Sequence, residues 1–160
     1  MKELLLQDCA RAFNDEDDSV HRGRYLEKAL VVGHNAGRES LSVAKSLEIL
    51  SFIAARASDW PRAEGYCRQA SGIAEKLAPD SLAVASTIDC FAMTYAIRSR
   101  WADAEQYYRQ SLAIRRRIDP DSLDLAQTLL NLGRMAAFHM DLANADVYLT
   151  QAVGIQEKLV

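Results

Sequence analysis

Ser42 and Lys45 stand at S-x-x-K spacing, which would put a hydroxyl nucleophile and an amine base on one helical turn. The companion motifs of that chemistry are missing, so the pair reads as two helix neighbours. His21, His34 and His139 are far apart, and no Cys or His pair has metal-ligand spacing. Asp15-Glu16-Asp17-Asp18 lacks the alternation and glycine of a calcium loop and reads as a solvated, capping turn. Cys9, Cys67 and Cys90 are odd in number and unclustered, each inside a helical pattern. They read as reduced core thiols, which goes with a cytoplasmic location. Arg115-Arg116-Arg117 ends a helical pattern, where it complements the helix dipole and faces water. There is no Gly-rich phosphate loop and no nucleophile elbow. The reading is therefore no enzyme, no metal and no cofactor.

The bulk properties agree with a binding or structural role. The 160 residues suffice for one domain with a sizeable core, and 49% apolar with 26% charged is ordinary for a globular chain. A net charge of -3 gives no basic field, which argues against nucleic acid as a partner. Apolar runs are too short to span a membrane, and Glu3 and Asp8 break up what would be a leader segment.

What positions these side chains is a repeat. Trp101 to Ile118 reads WADAEQYYRQSLAIRRRI, and 41 residues earlier Trp60 to Leu77 reads WPRAEGYCRQASGIAEKL. Leu142 to Leu159 is a third copy, and Ser19 to Ala36 a weaker fourth. Aligning Trp60–Arg100 with Trp101–Asp141 gives 14 identical pairs, where composition alone would give about three. A period of this size means stacked supersecondary units.

Apolar spacing of 3.6 residues predicts eight helices and no strand. They run over about Lys2–Asn14, Ser19–Ala36, Ser40–Ala57, Trp60–Leu77, Ser81–Arg98, Trp101–Ile118, Ser122–Met140 and Leu142–Leu159. Pro79 and Pro120 break the chain between repeats. Asp80 and Asp121 are expected to cap the helices that follow. Small residues mark close crossings: Ala63, Ala104 and Ala145; Ala70, Ser111 and Ala152; Ser51, Ala92 and Gly133. The architecture is all-α: four antiparallel helix pairs of about 41 residues, over 1–38, 39–79, 80–120 and 121–160, in a single domain.

These residues resemble a tetratricopeptide repeat. The pattern falls on Leu129, Leu132-Gly133, Ala136, Ala145, Leu149 and Ala152 in the last unit. In the third it falls on Ile88, Phe91-Ala92, Tyr95, Ala104, Tyr108 and Ser111. The long unit and the AEQYYRQSLAI wording are similar to the kinesin-light-chain-like subgroup. Ser58, Ser99 and Met140 replace the family's turn glycine, and Arg22 stands where alanine is expected. The resemblance implies a right-handed α-solenoid and a non-catalytic scaffold that binds a protein or peptide in a groove lined by each first helix. Carried onto this sequence, the groove positions are Arg11; Lys45, Glu48, Phe52 and Arg56; Asp89, Met93 and Ile97; Gln127, Leu130, Arg134 and Phe138. Apolar anchors beside Arg11, Arg56 and Arg134 imply a partner that is apolar with some acidic character.

A second surface follows from the repeat. Tyr107, Ser111, Ile114 and Ile118 form one stripe that should receive the next unit. Its last copy is Tyr148, Ala152, Ile155 and Leu159, expected to be uncapped and to drive self-association into a homo-oligomer. Two rivals thus stand beside the groove reading: a self-assembling structural module, and a peptide-sensing regulatory domain of a larger protein.

Overall fold

Short polar side chains open most of the helices. In a computed structural model, which describes residues 23–24, 26–28, 30 and 40–159, every regular element is helical. The elements with settled bounds are α1 Leu41–Arg56, α2 Trp60–Leu77, α3 Leu82–Ile97, α4 Trp101–Ile118, α5 Leu123–Phe138 and α6 Leu142–Lys158. Residues 23, 24, 26–28 and 30 are also helical. The expected first helix, and with it Arg11, lies outside the described residues.

Ser40, Asp59, Ser81, Ser122 and Asp141 each accept a backbone N–H from the helix they precede. This satisfies donors that have no partner inside the helix. It also corrects the expectation for Asp80 and Asp121: the caps of α3 and α5 are Ser81 and Ser122, one residue later. Of these six helices only α4 lacks a side-chain cap, with Arg100 in that place.

The first helix of each pair ends in the same way. The Asp59 N–H reaches the Ala54 carbonyl at 2.9 Å while the Ser58 N–H reaches Ala55 at 3.0 Å. Arg100 and Ser99, then Asp141 and Met140, repeat the arrangement. This double closure requires a left-handed residue, and Ser58, Ser99 and Met140 all have φ of 61°. The turn keeps its shape without glycine.

By compactness the chain divides into Met1–Pro79 and Asp80–Val160. In the first unit α1 packs on α2, and Leu26 and Leu30 pack beside Leu50 and Tyr66. In the second, α3 packs on α4, α5 on α6, and α4 on α5, around Leu112, Leu125, Leu129, Leu132 and Met135. The small residues are where the pattern requires them. Ala63, Ala70, Ser51, Ala92, Ala104, Ser111 and Ala152 have no exposed surface. The Ser51 hydroxyl donates to the Ala63 carbonyl at 2.9 Å, so its burial leaves no donor unmatched.

Cys67 and Cys90 are buried and both are disulfide-bonded. For these two the expectation of reduced thiols is corrected, because wide sequence spacing does not reveal bonding, while Cys9 lies outside the described residues. A cytoplasmic location loses the support it drew from them. Among the described residues no helix is long and apolar enough to cross a membrane.

Candidate functional site

The outward residues of the first helices are a property of the pairing. An α-helix in a two-helix repeat buries only the sides that meet its neighbours. Among the residues left open on α1 are Lys45, Phe52 and Arg56, all exposed, with Glu48 half-buried. Lys45 and Glu48 form an ion pair of 2.8 Å, and the Arg56 guanidinium lies 5.9 Å from the Phe52 ring centre.

In the second unit the corresponding residues lie on α3 and α5. Met93, Gln127, Arg134 and Phe138 are exposed; Asp89, Ile97 and Leu130 are half-buried. Met93 is 37% exposed and Phe138 64%, while Leu129 and Leu132 on the same α5 are at 1%. Apolar side chains thus occupy both the packed and the open side of α5. Phe138 does not stand alone: its ring lies tilted against Trp101 at 4.8 Å and meets His139 edge-on at 5.7 Å.

Asp89 is half-buried and already engaged within the unit. One oxygen accepts from the Arg115 guanidinium at 2.9 Å, and the other is buried with no hydrogen-bond partner among the described residues. Burial pushes the Asp89 carboxyl above its ordinary value, and the Arg115 charge opposes part of that rise. Burial also raises the Tyr108 phenol, with the nearby Asp89 charge adding to the effect and Arg134 opposing it.

The expectation that Arg115 faces water is corrected: its side chain is only 4% exposed. A second nitrogen donates to Asp124 at 3.0 Å and the third to the Ser111 hydroxyl at 3.2 Å. The clue lies in the spacing, since Arg115 is one turn after Ser111, a residue of the packed face. The triple-arginine run masks it.

The expected open stripe on α6 is also corrected. Ala152 is fully buried and Ile155 is 8% exposed, both in the core of their own unit. Tyr148 packs against that core, and its Cβ would lie 3.4 Å from a β-carbon placed on Gly133. Of the four, only Leu159 is exposed, at 51%. The reason is rotational. Tyr107, the register mate of Tyr148, stacks on Phe91 and Tyr95 of α3, so this stripe faces its own pair. The exposed large apolar residues from Leu142 onward are Leu142, Val147, Val153 and Leu159.

A cleft of about 230 Å3 lies in the first unit over Leu50, Ile53 and Ala54, with Glu27, Asp59, Arg62 and Tyr66 also lining it. Arg62 closes on Glu27 at 2.7 Å and on the Tyr66 hydroxyl at 3.2 Å, so these charges satisfy one another.

Residues 42–117 and 83–158 each match the model of the tetratricopeptide repeat, and together they span most of the chain. The chain belongs to the tetratricopeptide-repeat family. No curated protein matches it. Among solved structures, BtubC (BKLC) from P. vanneervenii is 25% identical with a TM-score of 0.80, over 98% of this chain and 64% of that one. The chain therefore spans less than two thirds of that relative. A putative kinesin light chain from Podosopora anserina, described as nearly identical TPR-like repeats, is 18% identical with a TM-score of 0.74. That match covers 100% of this chain and 78% of the other. A variant of the same Podosopora anserina repeats is similar at 0.73 and 18% identity, over 96% and 74%. These last two are similar in fold.

Proposed function

We propose that this tetratricopeptide-repeat chain is a non-catalytic module that binds a protein or peptide through the open side of its first helices. Its eight helices are taken as one right-handed solenoid. The binding face comprises Lys45, Glu48, Phe52 and Arg56 in the first unit and Met93, Ile97, Gln127, Leu130, Arg134 and Phe138 in the second. Asp89 shapes that face from below and does not meet the partner directly. The observation that carries the reading is surplus apolar surface: Met93 and Phe138 stay exposed on helices that already have a full core. Exposed Arg56 and Arg134 beside those anchors favour a partner with apolar residues and some acidic character.

A photo-crosslinking amino acid tests the face directly. Placed at Gln127 it should trap a partner; placed at Gln110, exposed on α4, it should trap none. Equal trapping at both positions contradicts the reading.

A second reading has its own support. Val153 at 47% and Leu159 at 51% leave apolar surface at α6 and its C-terminal end, so two copies could associate there. A third, regulatory segment of a longer protein, draws on the 64% coverage of BtubC.

A further inference from the structure

One guanidinium ties three helices of the second unit together. Arg115 on α4 donates to Asp89 on α3 at 2.9 Å and to Asp124 in the first turn of α5 at 3.0 Å. Its third contact, to Ser111 at 3.2 Å, fixes the stem to its own helix. The Thr128 hydroxyl of α5 lies 3.3 Å from the same Asp89 oxygen, within reach of a direct α3–α5 bond. A planar fork with two carboxylates at fixed angles constrains direction as well as distance.

The arrangement is specific to this junction. One period away, the position of Arg115 holds Ala74 or Gln156, and neither carries a charged guanidinium fork. Asp89 becomes Glu48 or Leu130, and Asp124 becomes Ala83. At the equivalent buried position of α2 an alanine suffices, so packing alone does not demand an arginine here. Buried ion pairs add little stability over apolar packing, which leaves geometry as the role to test for Arg115.

We propose that Arg115 is a positioning residue that sets the spacing of α3 and α5, the two helices carrying Met93, Ile97, Leu130 and Arg134. It touches no partner itself. It determines how far apart the apolar anchors on α3 and the cation on α5 stand, and so which partner fits between them. Only this last step rests on the binding reading above; the spacing does not.

The test is a distance. Nitroxides attached through p-acetylphenylalanine at Met93 and Gln127, both exposed, report the α3–α5 separation by pulsed dipolar spectroscopy without disturbing the cysteines. The unsubstituted Arg115 should give one narrow distribution. Arg115→Met, which keeps much of the stem and removes the fork, should broaden it or shift its mean by about 1–2 Å, the scale of helix shifts at packed interfaces. A distribution superimposable on the parent's, with helical content intact, overturns the proposal. Should Arg115→Met fail to fold, Asp124→Asn removes one arm at a carboxylate 73% exposed and gives the same comparison. The measurement needs no partner, so an unchanged spacing sinks the clamp and leaves the binding reading standing. That reading is decided separately, by crosslinking at Gln127.

Discussion

Gly133 on α5 and Leu149 on α6 approach so closely that a β-carbon at position 133 would lie 2.8 Å from Leu149 Cγ and Cδ2. The missing side chain lets the last two helices meet. Gly133→Ala should therefore overpack the crossing at a cost of about 1–3 kcal/mol, offset in part by about 1 kcal/mol of better helix propensity. The expected net loss is about 1 kcal/mol in a urea titration. Gly72 on α2 is the control, since nothing lies within 4 Å of its added β-carbon. There alanine should raise stability by about 0.5–1 kcal/mol.

Met140 holds a left-handed turn at φ 61° and is 78% exposed. The conformation costs an L-residue about 1–2 kcal/mol, and glycine would remove that strain while adding about 0.4–1 kcal/mol of unfolded-state entropy. Met140→Gly should stabilise by about 0.5–1 kcal/mol in the same titration. A decrease would mean the exposed methionine makes contacts that matter.

Asp89 and Asp141 should give pH dependences of opposite sign. The folded chain holds the Asp89 proton more tightly than the ordinary value of 3.8. Between 3.8 and the higher folded value, the folded state binds more protons than the unfolded, so Asp89's contribution falls as pH rises. Stability relative to Asp89→Asn should decline over that window. Asp141 is held low by its bonds to Asn144. Its contribution is present above the unfolded value and lost as pH falls through the folded one, so Asp141→Ala should cost stability at neutral pH and little at strongly acid pH. Denaturation of the three chains across the acid range checks both signs.

The architecture was legible because its signals are local and repeated. A 41-residue period, the prolines at 79 and 120, and small residues at Ala63, Ala104 and Ala145 are visible in the letters. The bounds of the six helices from Leu41 to Lys158 came within about two residues for the same reason. The misreadings share another origin. Whether Arg115 meets water or two carboxylates, and whether Tyr148 faces its own pair or the open end, depends on helix rotation, and adjacent stripes on one helix look alike in sequence. That Cys67 and Cys90 are each disulfide-bonded is likewise not encoded in sequence spacing.

The second reading places self-association on a different surface from the stripe that the repeat suggested. Val153→Asp with Leu159→Asp changes two exposed residues at the C-terminal end and should leave the thermal midpoint nearly unchanged. Sedimentation should then show a smaller species than the parent at equal concentration. Identical sedimentation would remove this end as the contact.

The central claim is that the open face of the first helices binds a partner. Phe52→Ala with Phe138→Ala trims two exposed rings, and circular dichroism verifies that the helices persist. Calorimetric titration of the partner trapped at Gln127 should then show at least about a tenfold loss of affinity, the effect of about 1.4 kcal/mol at an interface anchor. Unchanged affinity with the fold intact would contradict the account.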